Sequence, residues 1–117
     1  MEKVEAHPVL SVVTTVGSMV GAQLLARIIL ERRLAACVQI EPGLVSHYWW
    51  QGKLCEDAEV RVTIKTLPAR AAELEALFAE HHPYELPQFL ASAMEASPAY
   101  AQWVADEAAG QVEPSGS

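Results

Sequence analysis

The chain has 117 residues, with 8 lysines and arginines against 15 aspartates and glutamates, which gives a formal net charge of −7. This balance argues against a protein that follows nucleic-acid phosphates or binds an anionic membrane, because both need a basic face. With 51% hydrophobic and 20% charged residues, the composition is that of a folded chain and not of a disordered one.

The first two elements follow directly from the apolar pattern. Residues 9–16 are apolar and rich in β-branched side chains, which predicts a buried strand. Ser18 then predicts the N-cap of a helix that runs to about Leu34, because its hydroxyl can accept from the first free N–H groups. The apolar positions at helical spacing are Val20, Leu24, Leu25, Ile28 and Leu34.

Residues 36–66 predict a long β-hairpin with its turn at Gln51-Gly52, where glycine accepts a positive φ. Apolar residues occupy the even positions of both strands, and directly opposed residues share a face, so opposed numbers must sum to an even value. A two-residue turn instead pairs residue 50 with residue 53. One extra residue must therefore enter the outgoing strand, and Pro42-Gly43 predicts a bulge.

The second half of the chain predicts a helix, a strand and a helix. A helix follows Pro68, with Ala72, Leu74, Leu77 and Phe78 as its apolar positions, and Pro83 ends it after His81 and His82. A fourth strand is expected within residues 86–96, and a third helix begins after Pro98. This order predicts the α+β fold class, a ferredoxin-like βαββαβ sandwich with an extra C-terminal helix and a long bulged hairpin arm. We expect residues 1–108 to form one domain and residues 109–117 to form a disordered tail.

The sequence also bears on location. No apolar run reaches the length of a membrane span, and the amino-terminal segment lacks the pattern of a secretory leader. Cys37 and Cys55 are too few for a disulfide framework and are expected to be free thiols. We therefore expect a cytoplasmic protein that has neither a membrane nor a nucleic acid as its partner.

The outer part of the hairpin is unusually aromatic. Tyr48, Trp49 and Trp50 lie on a part of the arm that two helices are too short to cover. An exposed aromatic ribbon with free edges would promote aggregation unless other copies of the chain bury it. The sequence therefore predicts a homo-oligomer with Tyr48, Trp49 and Trp50 at its interface.

The polar residues of the hairpin and of the second helix are the candidates for a functional site. Glu59, Arg61 and Lys65 lie on one face of the returning strand, which is either a solvated face or the lining of an intersubunit cleft that binds a small anion or a metal. His81 and His82 are either helix-end cations, or one of them is a metal ligand together with residues from elsewhere in the chain. No common catalytic motif is present, and neither Cys37 nor His81 has an assignable partner base, so we expect no enzymatic activity.

Several separated motifs resemble the CutA family of divalent-cation tolerance proteins, and together they extend from about residue 10 to residue 104. They are the runs 31–38 (ERRLAACV), 48–53 (YWWQGK), 81–87 (HHPYELP) and 100–103 (YAQW), with Glu59 and the Lys65-Thr66 pair. The resemblance implies a ferredoxin-like subunit in a compact homotrimer whose hairpin arms exchange strand contacts.

The resemblance also implies a role in tolerance of divalent metals, copper especially, and a ligand set of cysteine, glutamate and histidine. The glutamate position corresponds to Glu59 and the histidine position to His81, while Thr14 stands at the cysteine position. Because threonine is a poor substitute for a thiolate, we expect weak binding of Cu(II) or another divalent cation by Glu59 and His81.

Two functions of different classes remain open. One is a non-enzymatic trimer of divalent metal-ion homeostasis. The other is a PII-like signalling or ligand-sensing trimer, with a small-molecule ligand in an intersubunit cleft near Arg61, Lys65 and Trp49.

Overall fold

A computed structural model describes residues 8–109 of the chain. Its elements are β1 (Pro8–Val16), α1 (Met19–Glu31), β2 (Cys37–Trp50), β3 (Lys53–Thr66), a 3₁₀ turn (Pro68–Arg70), α2 (Ala71–His81), β4 (Leu90–Glu95) and α3 (Pro98–Ala109). The four strands form an antiparallel sheet in the order β2-β3-β1-β4. This order and the βαββαβ succession confirm the predicted ferredoxin-like α+β fold.

The main core lies between the sheet and the two helices α1 and α2. The even-numbered residues of β3 face it, and Val60, Val62 and Ile64 are all buried, as the alternation predicts. A smaller apolar cluster joins Val9 of β1 to Ala101 and Val104 of α3. The third helix therefore packs on the sheet separately from α1 and α2. No helix within residues 8–109 is long and apolar enough to cross a membrane.

The first helix begins as predicted but ends earlier. Ser18 is its N-cap, and the Ser18 hydroxyl accepts from the Gly21 N–H at 3.0 Å. The helix ends at Glu31 and not near Leu34, because Arg33 adopts a left-handed backbone with φ of 57°. The N–H of Leu34 then bonds back to the Ile29 carbonyl at 3.1 Å, which closes a Schellman motif.

The buried faces of the helices differ in part from those that spacing predicts. In α1 the buried residues are Ala22, Leu25 and Ile29, whereas Val20 and Leu24 are exposed. In α2 the predicted Leu74, Leu77 and Phe78 are buried, while Ala72 is exposed.

The hairpin has the predicted turn and the predicted bulge. Gln51 and Gly52 have φ of 50° and 77°, and Trp50 pairs with Lys53 across the turn. The register then changes between Glu41 and Leu44, so that two residues of β2 oppose one residue of β3. The extra residue in the outgoing strand is confirmed, and it lies at Pro42-Gly43.

The bulge depends on the left-handed backbone of Gly43, whose φ is 91°. We expect Gly43→Ala to lower the free energy of unfolding by about 1 kcal/mol, because a side chain makes this conformation costly even in open space. Urea unfolding at fixed protein concentration measures the change. Gly52→Asn is the control, since asparagine tolerates a left-handed turn position. An equal loss in both variants would contradict this role for Gly43.

The tail prediction lies partly outside the described residues. The third helix continues to Ala109, and residues 110–117 are not described. At its carboxyl end, α3 is held to the rest of the fold by two arginines. Arg33 pairs with Glu107 at 2.7 Å, and the Arg70 Nε donates to the Ala108 carbonyl at 2.7 Å.

Candidate functional site

The two histidines at the end of α2 have different environments. His81 is the last helical residue, whereas His82 has an extended backbone with ψ of 135°. Pro83 explains the change, because proline disfavours a helical conformation in the residue before it. The turn carries the imidazole of His82 into the interior, where it is 8% exposed, and His81 stays on the surface.

Both ring nitrogens of His82 are hydrogen-bonded. The Nδ1 atom accepts from the Tyr84 backbone N–H at 3.1 Å, which assigns the remaining proton to Nε2. That Nε2–H donates to the Thr14 hydroxyl oxygen at 2.9 Å. Burial lowers the pKa of His82 below 6.5, against the opposing effects of a hydrogen bond to the Thr15 backbone and of the Glu59 charge. His82 is therefore a neutral imidazole at pH 7.

Glu59 is a buried carboxylate next to this histidine. It pairs with Leu44, directly after the bulge, and it is 9% exposed. The Tyr84 hydroxyl donates to its Oε2 at 2.5 Å. Burial and this carboxylate raise the pKa of Tyr84, so the phenol stays protonated. Thr14, Glu59, His82 and Tyr84 form what we call the strand-end cluster.

Gly17 lies beside this cluster where β1 ends. The Tyr84 hydroxyl oxygen lies 3.6 Å from the position that a Cβ atom on Gly17 would occupy. A larger side chain there would extend toward the hydroxyl that binds Glu59. A Cβ atom alone would be in ordinary van der Waals contact with that oxygen.

A groove of about 940 Å³ lies between the hairpin arm and residues 83–88. Its aromatic lining comes from Tyr48, Trp49, Trp50 and Tyr84, and its carboxylates are Asp57, Glu59 and Glu85. The Tyr48 hydroxyl donates to Asp57, and this hydrogen bond raises the pKa of Tyr48 to about 12. None of the described residues that line the groove is a lysine or an arginine. The groove is thus both aromatic and acidic, and we call it the arm groove.

His81, the predicted histidine ligand, has partners at the end of α1 and on α2. The His81 Nε2 lies 3.3 Å from the Arg32 guanidinium and 3.3 Å from Glu80. The imidazole whose pKa responds to Glu59 is that of His82. Within residues 8–109 no three His, Cys, Asp or Glu residues are grouped as a metal site. Joint binding of a cation by Glu59 and His81 stays a prediction.

Within one chain, the residues of the predicted intersubunit cleft have separate partners. Arg61 pairs with Glu41 at 3.6 Å, and the Lys65 Nζ donates to Gln39 at 3.1 Å, so both cations are held by neighbours on β2. Trp49 instead pairs with Leu54 near the tip of the arm. Leu54 and Arg61 are separated by seven residue steps, which extend for roughly 23 Å along the strand. Arg61 and Lys65 accordingly do not line the arm groove with Trp49.

The predicted site residues leave out three residues that the structure places at this site. They are His82, Tyr84 and Asp57. The His82-Pro83 pair was the available signal, because an extended residue at a helix end turns its side chain away from the helix surface. The partners of Tyr84 and Asp57 depend on how the segment after α2 folds back to the arm, which no local pattern indicates.

The sequence and the structure both resemble known proteins along most of their length. A model of the family described as CutA1 divalent ion tolerance protein matches residues 10–107. The chain is 38% identical over 94 residues to the divalent-cation tolerance protein CutA of Thermus thermophilus, which covers 80% of this chain and 91% of that protein. It spans about half the length of matching relatives from Xenopus laevis and Mus musculus, at 55% and 48%.

Solved structures of similar proteins have the same fold. CutA from Synechococcus elongatus superposes with a TM-score of 0.82 at 35% identity, covering 90% of this chain and 94% of that one. A protein from Archaeoglobus fulgidus that is described as a periplasmic divalent cation tolerance protein superposes with a TM-score of 0.81 at 29% identity, covering 86% and 98%. With the family model matched over residues 10–107, the chain belongs to the CutA1 divalent ion tolerance protein family.

Proposed function

We propose that this chain is a trimeric, non-enzymatic protein of divalent metal-ion tolerance, copper above all, that acts in the cytoplasm and binds divalent cations weakly. The family match supports the role in tolerance. The observation that carries the binding proposal is Glu59, a buried carboxylate that forms no ion pair with a lysine or arginine of residues 8–109. Buried charges are usually paired or bound to a metal, so Glu59 is suited to a cation.

The donor atoms around Glu59 do not fit a tight metal site. Both nitrogens of His82 are engaged, Thr14 offers a hydroxyl where a thiolate would bind a soft metal, and one oxygen of Glu59 already accepts from Tyr84. A cation that binds Glu59 and His81 must also displace Arg32 from the imidazole. These costs favour weak binding.

Two exposed edges support the proposed trimer. The strand β4 is at one edge of the sheet, and all of its six residues are exposed, while β2 is at the other edge. Trp49 is 72% exposed and Leu54, opposite to it, is 68% exposed. Unpaired edges and apolar side chains of this kind are usually covered in the assembled protein.

The metal proposal is tested by a competition titration of Cu(II) and Zn(II) on tag-free protein. We expect weak binding by the wild type and about tenfold weaker binding by a Glu59→Gln, His81→Ala variant, because a carboxylate and an imidazole are then lost. His47→Ala is the matched control, since His47 is an exposed histidine of the arm. Equal affinity of the wild type and the double variant would contradict the site.

A ligand-sensing trimer is the second candidate, and the size of the groove beside Trp49 supports it. A groove of about 940 Å³ is large enough for a small metabolite. In this alternative, Arg61 must break its ion pair with Glu41, and Lys65 its hydrogen bond with Gln39, before they can bind a ligand in the intersubunit cleft. A thermal-shift screen of carboxylates and nucleotides tests it, and a Tm that no compound moves counts against it.

A further inference from the structure

The bulge at Pro42-Gly43 divides the hairpin into an inner part, which packs on the main core through Val38 and Ile40, and an outer arm of residues 44–59. A bulge interrupts the ladder of hydrogen bonds and lets the strand bend. A Cβ atom on Gly43 would meet no atom within 4 Å, so side-chain packing does not brace the bulge at this residue. The direction of the outer arm must therefore be fixed by contacts elsewhere.

One polar contact joins the outer arm to the rest of the fold. The Tyr84 hydroxyl donates at 2.5 Å to Glu59, which pairs with Leu44 directly after the bulge. In the described part of the chain, the other side-chain hydrogen bonds and ion pairs of the outer arm stay within it, as that of Tyr48 with Asp57 does. A hydrogen bond to a carboxylate is stronger than one between neutral groups. The Tyr84–Glu59 contact is thus suited to hold the outer arm.

Tyr84 is itself anchored on the central part of the sheet. Its backbone N–H donates to the His82 Nδ1 at 3.1 Å, and the two rings are 5.2 Å apart. The His82 Nε2 in turn donates to the hydroxyl of Thr14, a fully buried residue of β1. A continuous series of contacts therefore extends from β1 to Glu59 at the base of the outer arm.

We propose that the Tyr84–Glu59 hydrogen bond is a latch, which holds the outer arm of a free subunit in the direction that assembly requires. This proposal rests on the proposed trimer, in which the arm lies at the interface. Without the latch, the bulge lets the arm take other directions, and only a fraction of the free subunits is ready to assemble. A latch of this kind strengthens assembly by preorganisation, because the arm is ordered before the subunits meet.

The variant Tyr84→Phe removes the hydroxyl of the latch and keeps the ring beside His82. If one free subunit in about five then has its arm in place, the concentration at which half of the trimer dissociates rises about tenfold, because three arms must be in place together. Sedimentation velocity over a dilution series measures this concentration, at a fixed urea concentration below the unfolding transition.

The rate of subunit exchange separates preorganisation from a direct contact across the interface. Native mass spectrometry follows this rate after unlabelled and isotope-labelled trimers are mixed. Because the latch acts on the free subunit, Tyr84→Phe should slow association and change the exchange rate by less than about twofold. A hydroxyl that bonds directly to a neighbouring subunit would instead be needed to keep the trimer together, and its loss would speed exchange.

Two control variants test the position of the latch. Tyr48→Phe also removes a phenol that bonds to a carboxylate, but both of its partners lie within the outer arm. Ser18→Ala removes the N-cap of α1 and lowers the stability of the subunit without touching the arm. Both should half-dissociate at the concentration of the wild type, and circular dichroism should show that all variants are folded.

A Tyr84→Phe trimer that half-dissociates at the concentration of the wild type would overturn the latch and leave the proposed trimer intact. An equal rise in Ser18→Ala or Tyr48→Phe would also overturn it, as would faster subunit exchange in Tyr84→Phe. A monomeric wild type would overturn the trimer and the latch together. The Cu(II) and Zn(II) titration is a separate measurement, so none of these results decides the metal proposal.

Discussion

The double variant Trp49→Asp, Leu54→Asp is expected to abolish assembly. These residues oppose each other on the arm and are 72% and 68% exposed in the single chain. Each large apolar side chain that is fully buried contributes about 1.5–3 kcal/mol, and this contribution recurs in every subunit of a trimer. The two aspartates remove it and add charges that the interface would have to desolvate. Light scattering coupled to gel filtration should change from three copies of the 12.7 kDa chain to one.

A matched control removes the same kind of side chain elsewhere. Val20 and Leu24 on α1 are 67% and 57% exposed, but they are not on the arm or at a sheet edge. Val20→Asp, Leu24→Asp should therefore keep the trimer, and circular dichroism should show that both double variants are folded. A wild type that elutes as a monomer, or dissociation in both variants, would contradict an interface formed by the arm.

The sequence predicted the hairpin well because the register of its strands follows from the number of residues in each strand and in the turn. The alternation of apolar and polar residues indicates which side chains face the core, and the turn fixes the register near the tip. The core-facing pattern and the register are compatible only if the outgoing strand has one more residue. Pro42-Gly43 was the place where a strand tolerates it, and the structure has its bulge there. Local chemistry also located the Ser18 cap. The end of α1 was missed, because an arginine and not a glycine takes the left-handed position after it.

The site was harder to predict, since its contacts join distant parts of the chain. The hydrogen bond between Thr14 and His82 spans 68 residues, and the one between Glu59 and Tyr84 spans 25. They require β1 to lie beside β3 and α2 to end over the same strand ends. The pairing of Arg61 with Glu41 was accessible, because the register before the bulge places these residues opposite each other.

The pH dependence of stability is expected to reveal the buried His82. Its pKa is lowered in the folded protein, so below pH 6.5 the unfolded chain binds a proton that the folded chain does not take up. Under this condition the free energy of unfolding rises with pH. The stability that His82 contributes is complete above pH 6.5 and is lost as the pH falls through the lowered pKa of the folded state.

The variant His82→Asn isolates this contribution. Its side chain can still accept from the Tyr84 N–H but does not titrate, and it loses the hydrogen bond to Thr14. At pH 7.5 the wild type should be more stable by about 1–3 kcal/mol. The difference in the free energy of unfolding between the two proteins should become smaller as the pH falls below 6.5. Only the wild type has an imidazole that stays neutral in the folded state while the unfolded chain takes up a proton.

Urea unfolding with a chelator, at one protein concentration so that assembly does not vary, measures both profiles. His47→Asn is the control, because it removes an exposed histidine of the arm. If the wild type and His82→Asn differ by a constant free energy of unfolding from pH 7.5 to pH 5, His82 takes up its proton equally in the folded and the unfolded state. The neutral imidazole between Thr14 and Tyr84 would then be wrong, whatever the affinity of the protein for metals.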